Sequence, residues 1–190
     1  MGGIDFPAAV CASVNEELIH GIPGHRILNE GDIVSVDVGA LLRGFQADAC
    51  RTYTVGQCAE ETLRLVKVTE ECFFEGLKHC IPGERIIDIS GAVQDHAESN
   101  GYSVVREYTG HGIGREMHED PEVPNYRTPR RGPRLIPGMA IAIEPMINAG
   151  RPEVEVGKDM WTVYTKDRKL CAHYENTVII TDDLPIITTL

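Results

Sequence analysis

Several carboxylates and imidazoles of this chain stand where ordinary packing does not ask for them. Asp37 lies inside the apolar run DIVSVDV, and Asp48 follows in QADACRTYTV after a short break at 41–44. If the two runs are the arms of a hairpin, a register that sets Asp37 against Asp48 centres the turn on Leu42-Arg43. Opposed residues share a face of the sheet, with Cβ atoms about 4.5–5.5 Å apart. Two carboxylates that close repel unless one is protonated or a cation lies between them. A register that separates them, or an arginine partner, would remove the need for a metal.

The run Gly110-His111-Gly112-Ile113-Gly114 is glycine-rich, but its spacing is not that of a phosphate cradle and no helix follows it. The flanking glycines let the backbone turn tightly and present His111. His118 opens the string His118-Glu119-Asp120-Pro121-Glu122, which lacks the zincin spacing, and Pro121 would break the helix such a site requires. The pair therefore reads as one metal-binding histidine and one that meets substrate, set against a plain structural role for either. Glu144 in AIAIEPMIN and Glu175 in HYENTVII lie in apolar strands. Ionised glutamates are rarely buried unless paired or metal-bound. Pro145 withholds a ladder donor beside Glu144 and interrupts its strand. An edge strand with its glutamate facing water would explain either residue alone.

Together Asp37, Asp48, His111, Glu144 and Glu175 make four carboxylates and one imidazole. Their charge of about −4 matches two divalent cations, and an oxygen-rich set with one nitrogen suits manganese, iron(II), cobalt or zinc rather than calcium. Paired ions of this kind lower the pKa of a shared water toward neutrality, which is equipment for hydrolysis.

The elements that must position these groups follow from apolar periodicity. Strands are expected near 8–15, 32–38 and 46–55, with a turn at HGIPG (20–24). Apolar residues at helical spacing mark helices over 60–79 and 87–99, the second stopped at Asn100-Gly101. A strand near 103–107, a glycine-rich turn at 110–114 and a long proline- and arginine-rich loop over 119–138 follow. Further strands are expected near 139–145, 160–165, 170–180 and 185–189. Many strands joined by short turns, with two helices, predict an α+β domain built on an antiparallel sheet. The 190 residues suit one domain with a buried core and show no internal boundary. A net charge of −11 argues against nucleic acid or a membrane as partner. The start MGGIDFPAAVC has no signal-like features, and the six cysteines form no C-x-x-C pair. The chain is thus read as cytoplasmic, monomeric and thiol-reduced, with most cysteines in the core.

The segments HGIP (20–23), VSVDVG (34–39), FQADACRTYTVG (45–56), GHGIGREMHEDP (110–121), PGMAIAIEPM (137–146) and AHYENTVIIT (172–181) resemble type I methionine aminopeptidases, in that family's order and spacing. The resemblance runs from about Phe6 to the C-terminus. It implies the pita-bread fold, a curved antiparallel sheet backed by helices. It implies two metal ions, with Asp37 on one, Asp48 and Glu175 bridging, and His111 and Glu144 on the other. It implies that His118 and His20 flank the scissile amide and that Glu144 shuttles the proton. Phe6, Cys11, Met117 and Trp161 fall where the family lines its methionine pocket. The activity implied is removal of the initiator methionine from nascent chains, reached at or near the ribosome, through attack of metal-activated hydroxide on the first peptide bond. Two departures stand out. Met117 replaces a usual aromatic residue, which predicts a softer pocket wall and looser side-chain selection. The family's N-terminal helices are missing before MGGIDF, with Gly3 at a position often held by tyrosine, which predicts exposed apolar sheet. Competing readings are an Xaa-Pro aminopeptidase of the same fold and a non-catalytic binding protein on it. The type II methionine enzymes carry a helical insertion for which the 25 residues between His118 and Glu144 leave no room.

Overall fold

The computed structural model describes residues 6–190, so Gly3 lies outside the described residues. The first strands are β1 (Cys11–Val14), β2 (Glu17–Ile19) and the long pair β3 (Ile33–Leu42) and β4 (Phe45–Thr54). The helices α1 (Glu60–Leu77) and α2 (Ile86–Ser99) form where the apolar stripes lie. The Asp88 carboxylate accepts the Arg85 backbone N–H and caps the start of α2. Gly101, at φ +85°, follows its end in the left-handed region that glycine favours. The remainder is extended: β5 (Ser103–Val104), β6 (Gly110–Gly112), β7 (Glu119–Val123), β8 (Ala140–Ile143), β9 (Met146–Asn148), β10 (Val154–Val156), β11 (Val163–Thr165), β12 (Cys171–His173), β13 (Glu175–Ile179) and β14 (Ile186–Ile187).

The main sheet runs β1-β3-β4-β13-β8-β6-β7, every pair antiparallel, with β14 against β13. Two three-stranded sheets, β10-β11-β2 and β12-β9-β5, complete the curved assembly. This is the pita-bread architecture. Alternation decides what each face carries. In β8, Ile141 and Ile143 turn toward the helices and join Phe73 and Ile89 in the core, leaving Ala142 on the other face. In the β12–β13 segment, Tyr174 and Val178 join the same core, so His173, Glu175 and Thr177 point away from it. A second cluster seats Leu65, Val68, Cys72 and Val93 of the helices on Val104, Ile147 and Ala172. Each fully buried Leu, Ile or Phe contributes roughly 1.5–3 kcal/mol, so these contacts fix the sheet that carries the site. On the β3–β4 hairpin, by contrast, Val38, Leu41, Leu42, Phe45 and Tyr53 are exposed.

Three local expectations change. The hairpin turn is Arg43-Gly44, not Leu42-Arg43: Leu42 pairs with Phe45, and φ is 53° at Arg43 and 83° at Gly44. A two-residue turn with both φ positive takes glycine readily at its second position, and that chemistry sets the register. Asp37 consequently faces Cys50, and Asp48 faces Gly39. The pairing moves by two residues, so both aspartates keep the same face and become diagonal neighbours. Second, Gly110–Gly112 is a strand inside the sheet rather than a turn. Its glycines serve close approach: a Cβ on Gly110 would overlap the Ala142 carbonyl oxygen, and one on Gly112 the Asp120 carbonyl oxygen. Third, the stretch expected as loop from 119 opens as β7 on the sheet edge.

The crowding at Gly112 gives a first expected result. Gly112→Ala forces β6 away from β7, because the obstacle is backbone that no rotamer change can clear. Overpacking of this kind costs about 1–3 kcal/mol or more. Thermal unfolding should show a Tm several degrees below the parent; an unchanged Tm would mean that the strands are not this close.

Candidate active site

The register places the five suspected ligands on two adjacent rows across one sheet face. In the first row Cys11 pairs with Asp37, Asp37 with Cys50, and Cys50 with Glu175. The β13–β8 pairing of Asn176 with Ile143 points Glu175 toward Glu144, just past the end of β8. In the second row Gly39 pairs with Asp48, Thr177 with Ala142, and Ala142 with His111. The Thr177 hydroxyl joins Asp48 to this row: it accepts the Asp48 N–H at 2.9 Å and lies 3.1 Å from the Asp48 carbonyl oxygen. Five residues scattered over 139 positions of sequence, from 37 to 175, are thus gathered by antiparallel pairing, with Glu144 just beyond its last paired residue.

Ligand atoms of Asp48, His111 and Glu175 all lie within 4.8 Å of one another. His111 Nε2 lies 3.6 Å from Glu144 Oε1. The His111 Nδ1–H donates to the Gly112 carbonyl at 2.8 Å, which leaves Nε2 as the free lone pair facing the carboxylates. The Glu144 carbonyl accepts from the buried Asn125 side chain at 2.9 Å, a bond that holds the chain where Pro145 breaks the strand.

The electrostatics are severe. Burial, and then the neighbouring Asp48 charge, push Asp37 up to about 7. Burial likewise raises Asp48. Glu144 and Glu175 are driven well above the carboxylate range, first by burial, with Asp37 and Asp48 adding to both and Glu144 adding to Glu175. Among the described residues, the only cationic side chains within 4.0 Å of these four carboxylates are histidines. Those rings are not charged partners. Burial lowers His111 and His20, and takes His173 down to about 3. Arg51 turns to the opposite face, where it bonds the Glu175 carbonyl and the Asn176 side chain and stacks on Tyr174. The free protein therefore relieves this crowd only by keeping protons. Divalent cations would replace those protons, and an oxygen-rich set with imidazole nitrogen is a donor set they accept.

Beside the carboxylates lies a cavity of about 350 Å³, lined by Phe6, Cys11, His20, Asp37, Asp48, Met117, His118 and Trp161, among others. The six residues expected around a substrate side chain thus share one space with two of the expected metal ligands. Phe6 and Trp161 meet edge to face at 5.3 Å, and His20 stands 6.5 Å from Trp161. His118 stacks obliquely on His111 at 4.3 Å between ring centroids. Met117 reaches over Gly39, where a Cβ would overlap its terminal methyl. His20 sits in the left-handed region at φ 57°, and its Nδ1 is buried without a partner. Such backbone costs of order 1–3 kcal/mol. The turn is set by Gly21, which lies against the backbone of Ala12 and accepts the Ala12 N–H at 2.8 Å.

Three residues of the site escaped the sequence reading. Cys50 lies in the carboxylate row, and Asp37 and Glu175 are its strand neighbours on either side. Its spacing of two from Asp48 was the available signal. Asn125 gave none, since it reaches Glu144 from a loop. His173, two residues before Glu175, shares its face by strand alternation and carries an unused imidazole.

Residues 1–182 match the model of metallopeptidase family M24. The chain is 57% identical to a methionine aminopeptidase of Clostridium acetobutylicum over 97% of its own length and 74% of that protein. It is 52% identical to methionine aminopeptidase 1 of Bacillus subtilis, over 93% and 71%. The crystal structure of methionine aminopeptidase from Rickettsia prowazekii superposes with a TM-score of 0.94 at 44% identity, covering 97% of this chain and 75% of that one. The prolidase of Pyrococcus furiosus shares the fold, with a TM-score of 0.77 at 24% identity and coverage of 96% and 49%.

Proposed function

The chain belongs to metallopeptidase family M24, and from that premise we propose how it acts: it is a methionine aminopeptidase that removes the initiator methionine from protein N-termini, and it does so at the two carboxylate-and-imidazole rows described above. The observation that carries the assignment of the site is their convergence beside a single cavity that is aromatic and sulfur-lined on its other side.

Two divalent ions, drawn from manganese, iron(II), cobalt or zinc, are the cofactors proposed. Asp37 would hold one, His111 and Glu144 the other, and Asp48 and Glu175 both. When bound, the ions supply Lewis acidity and a water acidified toward neutral pH. The chain's own residues do the rest. Phe6, Trp161, Cys11 and Met117 enclose an unbranched, polarisable thioether side chain. His118 donates to the oxygen that gains charge as the first peptide bond is attacked, and His20 flanks the same amide from the other side. Glu144, whose affinity for a proton is raised by burial, takes one from the attacking water and delivers it to the leaving amine. The cavity bounded by these side chains would hold one side chain ahead of the scissile bond, so cleavage is confined to the first residue. Nascent N-termini with a small second residue are the substrates proposed. Translation supplies them in the cytoplasm at or near the ribosome, where one catalytic domain acting as a monomer suffices.

Release of methionine from Met-Ala-Ser, with manganese or cobalt added, against no release from an Xaa-Pro peptide is the expected outcome. Cleavage of the Xaa-Pro peptide instead would assign the site to the proline-specific branch, and cleavage of neither would overturn the catalytic reading.

A further inference from the structure

His173 ends β12 with its side chain 2% exposed, and neither ring nitrogen has a hydrogen-bond partner. A buried imidazole left unpaired on both sides demands an explanation, because native interiors pair almost all such groups. The backbone that carries the ring is firmly held. The His173 backbone N–H donates to Thr52 Oγ1 at 2.9 Å, its carbonyl accepts from the same hydroxyl at 2.8 Å, and the residue pairs with Met146 of β9. From this anchored backbone the buried ring directs Nε2 into the carboxylate cluster, 3.7 Å from Glu144 Oε2 and 4.0 Å from Glu175 Oε2. Those separations are too long for hydrogen bonds. They suit two donor atoms sharing one ion, since metal–nitrogen and metal–oxygen bonds of about 2.0–2.2 Å set neighbouring ligands roughly 3–4 Å apart. His111 Nε2 and Glu144 Oε1, already assigned to one ion, stand at a comparable 3.6 Å.

We propose that His173 is a sixth ligand of the dinuclear site, giving the ion held by His111 and Glu144 a second imidazole nitrogen. The inference rests on the two-metal reading above and extends it to a residue outside the five-ligand set. A second nitrogen moves the site toward ions that favour imidazole, so this chain should prefer cobalt, nickel or zinc over manganese more strongly than a one-histidine site does.

The test loads the metal-free protein with cobalt(II) and counts, in the proton NMR spectrum, the imidazole N–H protons with the large through-bond contact shifts that only rings bonded to the ion show, setting aside the smaller through-space shifts of His118 and His20. Two are expected in the native protein and one in His173→Gln, a variant that keeps a polar side chain of similar reach. The cobalt-to-manganese affinity ratio should fall by about tenfold or more in the variant. The native spectrum is informative by itself, so the result does not depend on the variant folding. Cobalt uptake with a single shifted imidazole in the native protein would overturn the role of His173 and leave the five-ligand site intact. Two shifted imidazoles that persist in the variant would also overturn it, since the second ring would then be another histidine. No cobalt uptake would overturn the dinuclear reading itself.

Discussion

Asp48→Ala and Glu175→Ala each reduce methionine release from Met-Ala-Ser by at least about 1,000-fold, which corresponds to roughly 4 kcal/mol of lost transition-state stabilisation. Both carboxylates occupy the middle of the cluster. Asp48 is tied to Thr177 and lies diagonal to Asp37 across the hairpin, while Glu175 faces Cys50 on one side and points toward Glu144 on the other. Loss of either removes a ligand that would serve both ions, so no half-site remains to do the chemistry. The variants nonetheless fold. Alanine fits a strand whose core-facing neighbours are unchanged, and deleting one buried carboxylate relieves repulsion in the metal-free protein. The metal-free variants should therefore melt at or above the temperature of the metal-free parent, which separates lost function from lost structure. Turnover within tenfold of the parent in either variant would remove these residues from the site.

The second large effect is a pH-dependent stability that metal reverses. Asp37 has its folded pKa raised to about 7 from an ordinary value near 3.8, and Glu144 and Glu175 are raised well above the carboxylate range. In the folded chain these groups keep protons that the unfolded chain has already released. Stability is therefore greatest below the unfolded carboxylate pKa and falls as pH rises through the folded values. The buried histidines act oppositely: His20, His111 and His173 have lowered folded values, so their contribution is present above about pH 6.5 and lost below it. Above that pH the imidazoles are neutral in both states and drop out. The carboxylates alone then set the slope. After treatment with a chelator, Tm should fall as pH rises from about 6.5 through the Asp37 value near 7. With manganese or cobalt in excess the fall should vanish, because cations bound to the folded state stabilise it by mass action and replace the protons. A chelated protein whose Tm is flat or rises over that range would show that the carboxylates are not buried together.

Much of this was legible in the sequence, for identifiable reasons. The helices announced themselves because an apolar stripe over 60–77 or 86–99 repeats often enough to be unmistakable. Glu144 and Glu175 stood out because charge in an apolar strand is costly. The positions of Asp37 and Asp48 were visible, but their pairing depended on a turn whose register hangs on Gly44, and a shift of two residues preserved the shared face by the geometry of the pleat alone. The glycines around His111 were read as a turn. Their reason lies in the neighbouring strands, whose carbonyls occupy the space a Cβ would need, and that is a tertiary fact no local pattern contains. The same holds for Asn125 beneath Glu144. His173 was within reach, since alternation alone places it with Glu175, but an imidazole two residues from a carboxylate carries little signal until its nitrogens are seen to lack partners.

Met117 lies over Gly39 at the cavity wall.

The central claim is that paired cations, not protons or basic side chains, make this gathering of carboxylates tolerable in the working enzyme. Equilibrium dialysis of the native chain and Glu175→Ala against manganese or cobalt, with metal content measured per chain, tests it directly. Two ions bound by the native protein and no more than one by the variant is the predicted result; a native chain that binds none, or a variant that binds as the native does, would contradict it.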